Sequence, residues 1–165
     1  ESLLFIEGEY ASIQRNENVG NAMIKGARVE IKAQVSRHLD FHGVANFTKG
    51  RRFTSRTPIS HIPPVFGRTS LEYQKKEWSI EAYVLFNGAK NMEDYGPGAT
   101  DNPQEALVSG TPSWWTFNIE SHVEIYKNIH AQIGLTNLLD MHYKTFSSGI
   151  SAPGRGAFIA IHASL

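Results

Sequence analysis

Seven histidines, His38, His42, His61, His122, His130, His142 and His162, are the side chains best suited to hold a metal ion, and His122 sits between Glu120 and Glu124 at alternate positions. On a strand that spacing puts all three on one face. His130 and His162 have the same parity on neighbouring segments, so the pattern allows either a hydrogen-bonded polar face or a way station for a metal ion. The polar network is the reading adopted, with no resident metal and no cofactor. No His pair has the i, i+4 form with an intervening Glu, and His38 and His42 flank a tight turn without carboxylate support. The chain has no cysteine, which removes disulfides, thiolate sites and cysteine nucleophiles together. No Gly-x-Ser-x-Gly elbow or other nucleophile context occurs, so the chain is not read as an enzyme. A basic cluster, Lys49, Arg51, Arg52, Arg56 and Arg68, surrounds one Gly- and Pro-containing loop. Its planar forks suit bidentate bonds to an anionic ligand, with Arg51, Arg52 and Arg56 as the candidate binding residues. Between Gly88 and Ser113, Asp94, Tyr95, Asp101, Asn102 and Glu105 offer oxygen ligands for Ca²⁺, but their order matches no EF-hand. A solvated loop is the preferred reading there.

The elements that carry these residues have period two. Trp78, Ile80, Ala82, Val84 and Phe86 share one parity, against Ser79, Glu81, Tyr83 and Asn87. Trp115, Phe117, Ile119, Val123 and Ile125 alternate in the same way with Thr116, Asn118, Glu120, His122 and Glu124. Residues 27–35, 129–136 and 159–165 repeat the rule, and 39–47 and 65–73 follow it more weakly. Leu3–Ile6 and Tyr10–Ile13 are short apolar runs, and Gly20 and Gly26 suggest a bulge or a parity change before Ala27. The fold class is therefore all-β, an antiparallel up-and-down meander.

The links alternate in length. Arg37-His38, 74–77 and Lys127-Asn128 are short, whereas 50–62, 88–113 and 144–155 are long and rich in Gly, Pro, Ser, Asp and Asn. Tight turns thus gather at one end and long loops at the other, as in membrane barrels and in soluble up-and-down barrels alike. Mean hydropathy is −0.32, and no apolar run of the length a spanning helix requires, about 20 residues, is present. With sixteen basic and sixteen acidic residues the net charge is zero, which gives no general attraction to nucleic acid. Alternation cannot say which face is wet. Aromatics near strand ends (Phe41, Phe47, Trp78, Phe86, Trp115, Phe117) and small residues on the apolar face (Ala27, Ala33, Ala45, Ala82, Ala131, Ala163) favour lipid outside.

Three motifs then bear on family. The run Gly134-Leu135-Thr136-Asn137-Leu138-Leu139-Asp140, followed by Tyr143 and by Gly149-Ile150-Ser151-Ala152-Pro153-Gly154-Arg155, resembles the closing hairpin of TonB-dependent outer-membrane receptors. Asn18-Val19-Gly20-Asn21-Ala22 with Ile24 and Gly26 is similar to an earlier strand of that family, although Arg28 replaces its acidic residue. Ile62-Pro63-Pro64 with Gly67 and Leu71 looks like its entry into a descending strand. In physical terms, Asn137 and Asp140 can bond their own backbone into a turn, Pro153-Gly154 permits a reversal, and Arg155 can tie that turn to a carboxylate.

The resemblance implies that residues 1–165 are the C-terminal strands of a transmembrane β-barrel of about 22 strands, some eight or nine of them lying here. The plug domain and the N-terminal strands would lie elsewhere in the same receptor. It also implies a bacterial outer-membrane location and lipid contact. The function implied is uptake of a scarce small-molecule solute, such as an iron–siderophore complex, coupled to TonB through the N-terminal region. Ile80, Val84, Ile119 and Val123 would face lipid, and Glu81, Glu120, His122 and Glu124 the lumen. The basic loop would meet the anionic solute or lipopolysaccharide phosphates. The family ends in an aromatic residue, where this chain has Leu165. The alternative is a soluble β-barrel or sandwich whose long loops hold a carbohydrate or protein partner.

Overall fold

The computed structural model describes residues 3–6, 9–12 and 20–163. Its strands, in chain order, are β1 (Leu3–Ile6), β2 (Glu9–Ser12), β3 (Ala22–Ser36), β4 (Leu39–Arg52), β5 (Phe66–Gln74), β6 (Trp78–Asn87), β7 (Lys90–Asn91), β8 (Gly110–Thr111), β9 (Trp114–Tyr126), β10 (Ile129–Thr136) and β11 (Gly156–Ala163). Seven of them form one antiparallel sheet in the order β11-β10-β9-β6-β5-β4-β3, while β1 pairs with β2 and β7 with β8. Because β7 and β8 form a ribbon within one loop, the large sheet follows chain order. It is the expected up-and-down meander, with seven long strands in the large sheet and the β1–β2 pair in addition, among the described residues.

Every short link lies at one end of this sheet and every long loop at the other. The short links are 37–38, 75–77 and 127–128, and Asn128 takes a left-handed φ of 66°. The long loops are 53–65, 88–113 and 137–155, here called the first, second and third loops. No bulge occurs at Gly26, which pairs in register with Thr48; the irregularities fall beside the short turns, at Gln34/Ser36 and Ile129/His130. Strands β3 and β4 both outrun their apolar alternation. Residues Ala22–Gly26 and Thr48–Arg52 continue the ladder through backbone bonds that do not depend on side-chain polarity. Residues Asn18, Val19, Leu165 and Ile13, to which parts of the sequence reading refer, lie outside the described residues.

Burial differs between the two faces of the inner strands. On the polar face Ser70, Ser79, Tyr83, Thr116 and Asn118 are buried. On the apolar face of the inner strands Leu71 is 46% exposed, Ile80 43% and Trp115 44%, while edge strand β3 is exposed on both faces. A water-soluble sheet does the reverse, since burying apolar area stabilises by about 25 cal/mol per Å². Aromatic rings bracket the exposed apolar face. Tyr73 and Trp78 lie 5.7 Å apart near the short turns, and Phe86 stands opposite Trp115 near the long loops. Eight residues separate Trp78 from Phe86, which is about 26 Å along a strand. One glycine is essential to this packing: a Cβ on Gly67 would lie 2.1 Å from the Val44 carbonyl oxygen and 2.6 Å from the Phe86 ring. Among the described residues no helix is long and apolar enough to cross a membrane, which leaves crossing by strands open.

Candidate functional site

Strand register brings the predicted polar residues of β6 and β9 together. Glu81 is paired directly with Glu120, and Ser79 with His122. Two like charges opposite each other repel, and the neighbouring strands supply the compensation. From β5, Arg68 donates to both oxygens of Glu81 at 2.7 and 2.8 Å and lies over the Tyr83 ring, 4.2 Å from its centroid. The Tyr83 hydroxyl donates to Glu120 at 2.7 Å, and Gln132 Nε2 on β10 donates to the other Glu120 oxygen at 3.2 Å. The result is a hydrogen-bonded belt across four strands. Arg68 therefore belongs to a strand and an ion pair, not to the basic loop in which the sequence placed it. Tyr83 and Gln132 were missed as members, although their parity and cross-strand register pointed to them.

His122 and Glu124 lie exposed on the same face, nearer the short turns. His130 opposes both Glu124 and His162. Among the described residues no three His, Asp or Glu side chains come close enough to hold a metal ion. His42 does have carboxylate support, contrary to the sequence reading: its Nε2 lies 3.0 Å from Glu30, which also pairs with Arg28 at 3.2 Å and Lys32 at 3.0 Å. That partner sits twelve residues away, on the paired strand.

The long loops are packed against one another. Asp101 is fully buried and accepts the His61 backbone N–H at 2.6 Å and the Gly96 N–H at 2.7 Å, joining the first and second loops. Asn102 Nδ2 donates to the Ser147 carbonyl at 2.8 Å, and Lys144 pairs with Glu105 at 3.1 Å, joining the second and third. Lys90 is 6% exposed; it donates to the Ile62 carbonyl and lies 4.4 Å from the Phe146 ring centroid, so it touches all three. Burial pushes the Lys90 ammonium below the usual lysine range, and Asp101 and Asp94 partly restore it. The five oxygen-bearing residues offered for Ca²⁺ are thus engaged elsewhere: besides Asp101, Asn102 and Glu105, Asp94 pairs with Lys49 of β4 at 3.7 Å, and Tyr95 bonds Thr111 within its own loop at 2.6 Å and packs edge-on against Phe146 of the third loop. The second loop is a packed element, not a simply solvated one.

The closing hairpin follows its motif with one change. Asn137 Oδ1 accepts the Met141 N–H at 2.9 Å and its Nδ2 donates to the Met141 carbonyl, with Asn137 and Asp140 both at left-handed φ. Asp140 is the carboxylate that ties the turn, but it accepts the Arg155 backbone N–H at 2.8 Å rather than the guanidinium. A Cβ on Gly154 would lie 2.6 Å from that same oxygen.

The candidate arginines do not converge. Arg51 and Arg52 are successive residues of β4 and so point to opposite faces. Arg56 is exposed in the first loop at φ 54°. Among the described residues none of the three has a carboxylate within ion-pair distance. Two cavities lie among the loops. One, of about 190 Å³, takes in Lys49, Arg51, Pro58, Ile62, Lys90 and Asp94. The other, of about 290 Å³, lies between the second and third loops beside Trp114 and Tyr143.

No protein-family model and no curated protein matches the chain. Solved structures do. The copper transporter OprC superposes with a TM-score of 0.77 at 16% identity over 87% of this chain and 24% of its own. The ferric-catecholate import receptor Fiu from E. coli K12, in its closed form, gives 0.59 at 13% identity over 94% of this chain and 22% of its own. The ferripyoverdine receptor of the outer membrane of Pseudomonas aeruginosa gives 0.58 at 13% over 86% and 19%. All are TonB-dependent outer-membrane receptors. The fold is therefore that of one part of such a barrel, and the chain spans about a quarter or less of the length of these structures.

Proposed function

We propose that the chain is the C-terminal part of the barrel of a TonB-dependent receptor in the bacterial outer membrane. Its apolar face meets lipid, with Ile80, Val84, Ile119 and Val123 outward, and Glu81, Glu120, His122 and Glu124 line the lumen. A plug domain and further strands of the same receptor complete the barrel. TonB, engaged through the N-terminal region, supplies the energy for uptake of a scarce solute such as an iron–siderophore complex, and no covalent chemistry takes place. The observation that carries this reading is the inverted burial of the inner strands: Leu71, Ile80, Trp115 and Ile133 lie exposed on one face while Ser79, Tyr83, Thr116 and Asn118 are buried on the other. That inversion disfavours the soluble binding module, whose apolar face would be its core. Arg51 and Arg52 at the end of β4 and Arg56 in the first loop are assigned to first contact with an anionic solute, each from a different side.

The test is uptake by cells that carry the intact protein as their only receptor of this class, supplied with a panel of radiolabelled ferric chelates. Accumulation of one chelate that stops when TonB is deleted supports the assignment. Accumulation independent of TonB, or a protein recovered folded and soluble without detergent, overturns it.

A further inference from the structure

The cavity between the second and third loops holds, beside the contacts that join them, a group of apolar and aromatic side chains. Its volume is about 290 Å³. An apolar cavity of about 150 Å³ accommodates benzene, so this one has room for a single substituted ring. Leu107, Trp114, Met141 and Tyr143 give it apolar and aromatic walls, with Trp114 and Tyr143 already stacked, their centroids 4.1 Å apart at 28°. Glu105 and Lys144, paired at 3.1 Å, also line it and keep about a third of their side-chain surface exposed. Planar walls beside an adjoining acceptor and donor are what a flat ring with one hydroxyl requires.

We infer that this cavity is a subsite for a neutral phenolic ring, which stacks on the Trp114–Tyr143 pair, donates its hydroxyl hydrogen to Glu105 and accepts from Lys144. A free carboxylate in place of the hydroxyl has no proton to give Glu105 and must compete with it for Lys144, so it is disfavoured. The exposed wall surface is mostly carbon, which suits a ring face better than a sugar's hydroxyls, although Asn102, His142, Thr145 and Ser148 also line it. The inference rests on the receptor reading only for the ring's significance as part of a transported solute; the binding itself does not depend on it.

The experiment is saturation-transfer NMR on the intact protein in detergent micelles, with 4-hydroxybenzamide as probe and benzoate and glucose as comparisons. The probe should show saturable transfer. Tyr143→Leu should weaken its binding about three- to tenfold, the loss expected for one aromatic stacking partner. Leu107→Trp fills the cavity from a side chain that is 60% exposed, so the loops keep their fold while the signal falls to the level of empty micelles. Undiminished transfer in Leu107→Trp, or glucose or benzoate binding as well as the phenol, overturns the assignment. Bilayer placement is measured separately, by the folding of the same protein in vesicles, so failure of either result leaves the other standing.

Discussion

Replacing Asp101 by Ala should release the first loop from the second. The carboxylate is fully buried and accepts two backbone N–H bonds, from His61 at 2.6 Å and Gly96 at 2.7 Å. Hydrogen bonds to a charged group contribute about 1.5–3 kcal/mol each, and a buried donor left unpaired costs a similar amount. The two bonds together give roughly 3–6 kcal/mol. Water reaching the opened loops recovers part of that, so the expected loss is about 3 kcal/mol, a change of about 150-fold in the opening equilibrium. Amide hydrogen exchange on the intact protein reads this directly. The His61 and Gly96 amides should exchange about two orders of magnitude faster in Asp101→Ala while those of β6 and β9 stay protected. Asp101→Asn keeps one acceptor but sets an amide N–H against a backbone N–H, and should fall between the two. Unchanged exchange at His61 and Gly96 would refute the latch. Equal acceleration through β6 and β9 would show that Asp101 supports the whole sheet instead.

Arg68→Gln should destabilise more than Glu81→Gln, because it leaves Glu81 and Glu120 facing each other across the β6–β9 pair; a double-mutant cycle in a reversible folding assay should return a coupling of about 1–3 kcal/mol. Gly67→Ala should cost about 1–3 kcal/mol in the same assay, since its Cβ would press on the Val44 carbonyl of the adjacent strand, while Gly43→Ala, whose Cβ would meet only the Phe41 ring at 3.2 Å, should cost less. Lys90 binds its proton less tightly in the folded loops than in the unfolded chain. The unfolded state therefore holds more protons between the two values, and loop stability rises with pH up to the ordinary lysine value of about 10.4. Resistance of the loops to a protease active at alkaline pH should increase over that window, and the increase should vanish in Lys90→Met.

The strands were legible because alternation is a local property: Ile80, Val84 and Ile119 announce their face within a few residues. What alternation lacks is sign, and the exposure of Leu71, Ile80 and Trp115 against buried Ser79, Thr116 and Asn118 is what favours lipid on the apolar side. Strand ends were misjudged where polarity and pairing part company, as at Thr48–Arg52, which continue β4 by backbone bonds to β3. The polar belt was half legible. Glu81 and Glu120 were identified by parity, but their coupling through Arg68, Tyr83 and Gln132 needs the register between strands. The loop latches were not legible at all, because Asp101 with His61 and Asn102 with Ser147 join residues forty or more positions apart. A buried aspartate and a solvated one read alike in a sequence.

The central claim is that the apolar face of this sheet meets lipid and the polar face does not. Single cysteines at Ser79, Ile80, Glu81, Ala82, Tyr83 and Val84, introduced into an intact protein otherwise free of cysteine and placed in vesicles, can each carry a nitroxide label; these 165 residues hold none of their own. Collision with oxygen, which concentrates in the bilayer, and with a water-soluble nickel chelate should alternate with period two. Ile80, Ala82 and Val84 should be accessible to oxygen and shielded from nickel, and Ser79, Glu81 and Tyr83 should not share that profile. The reverse phase, or no alternation along β6, would contradict the account.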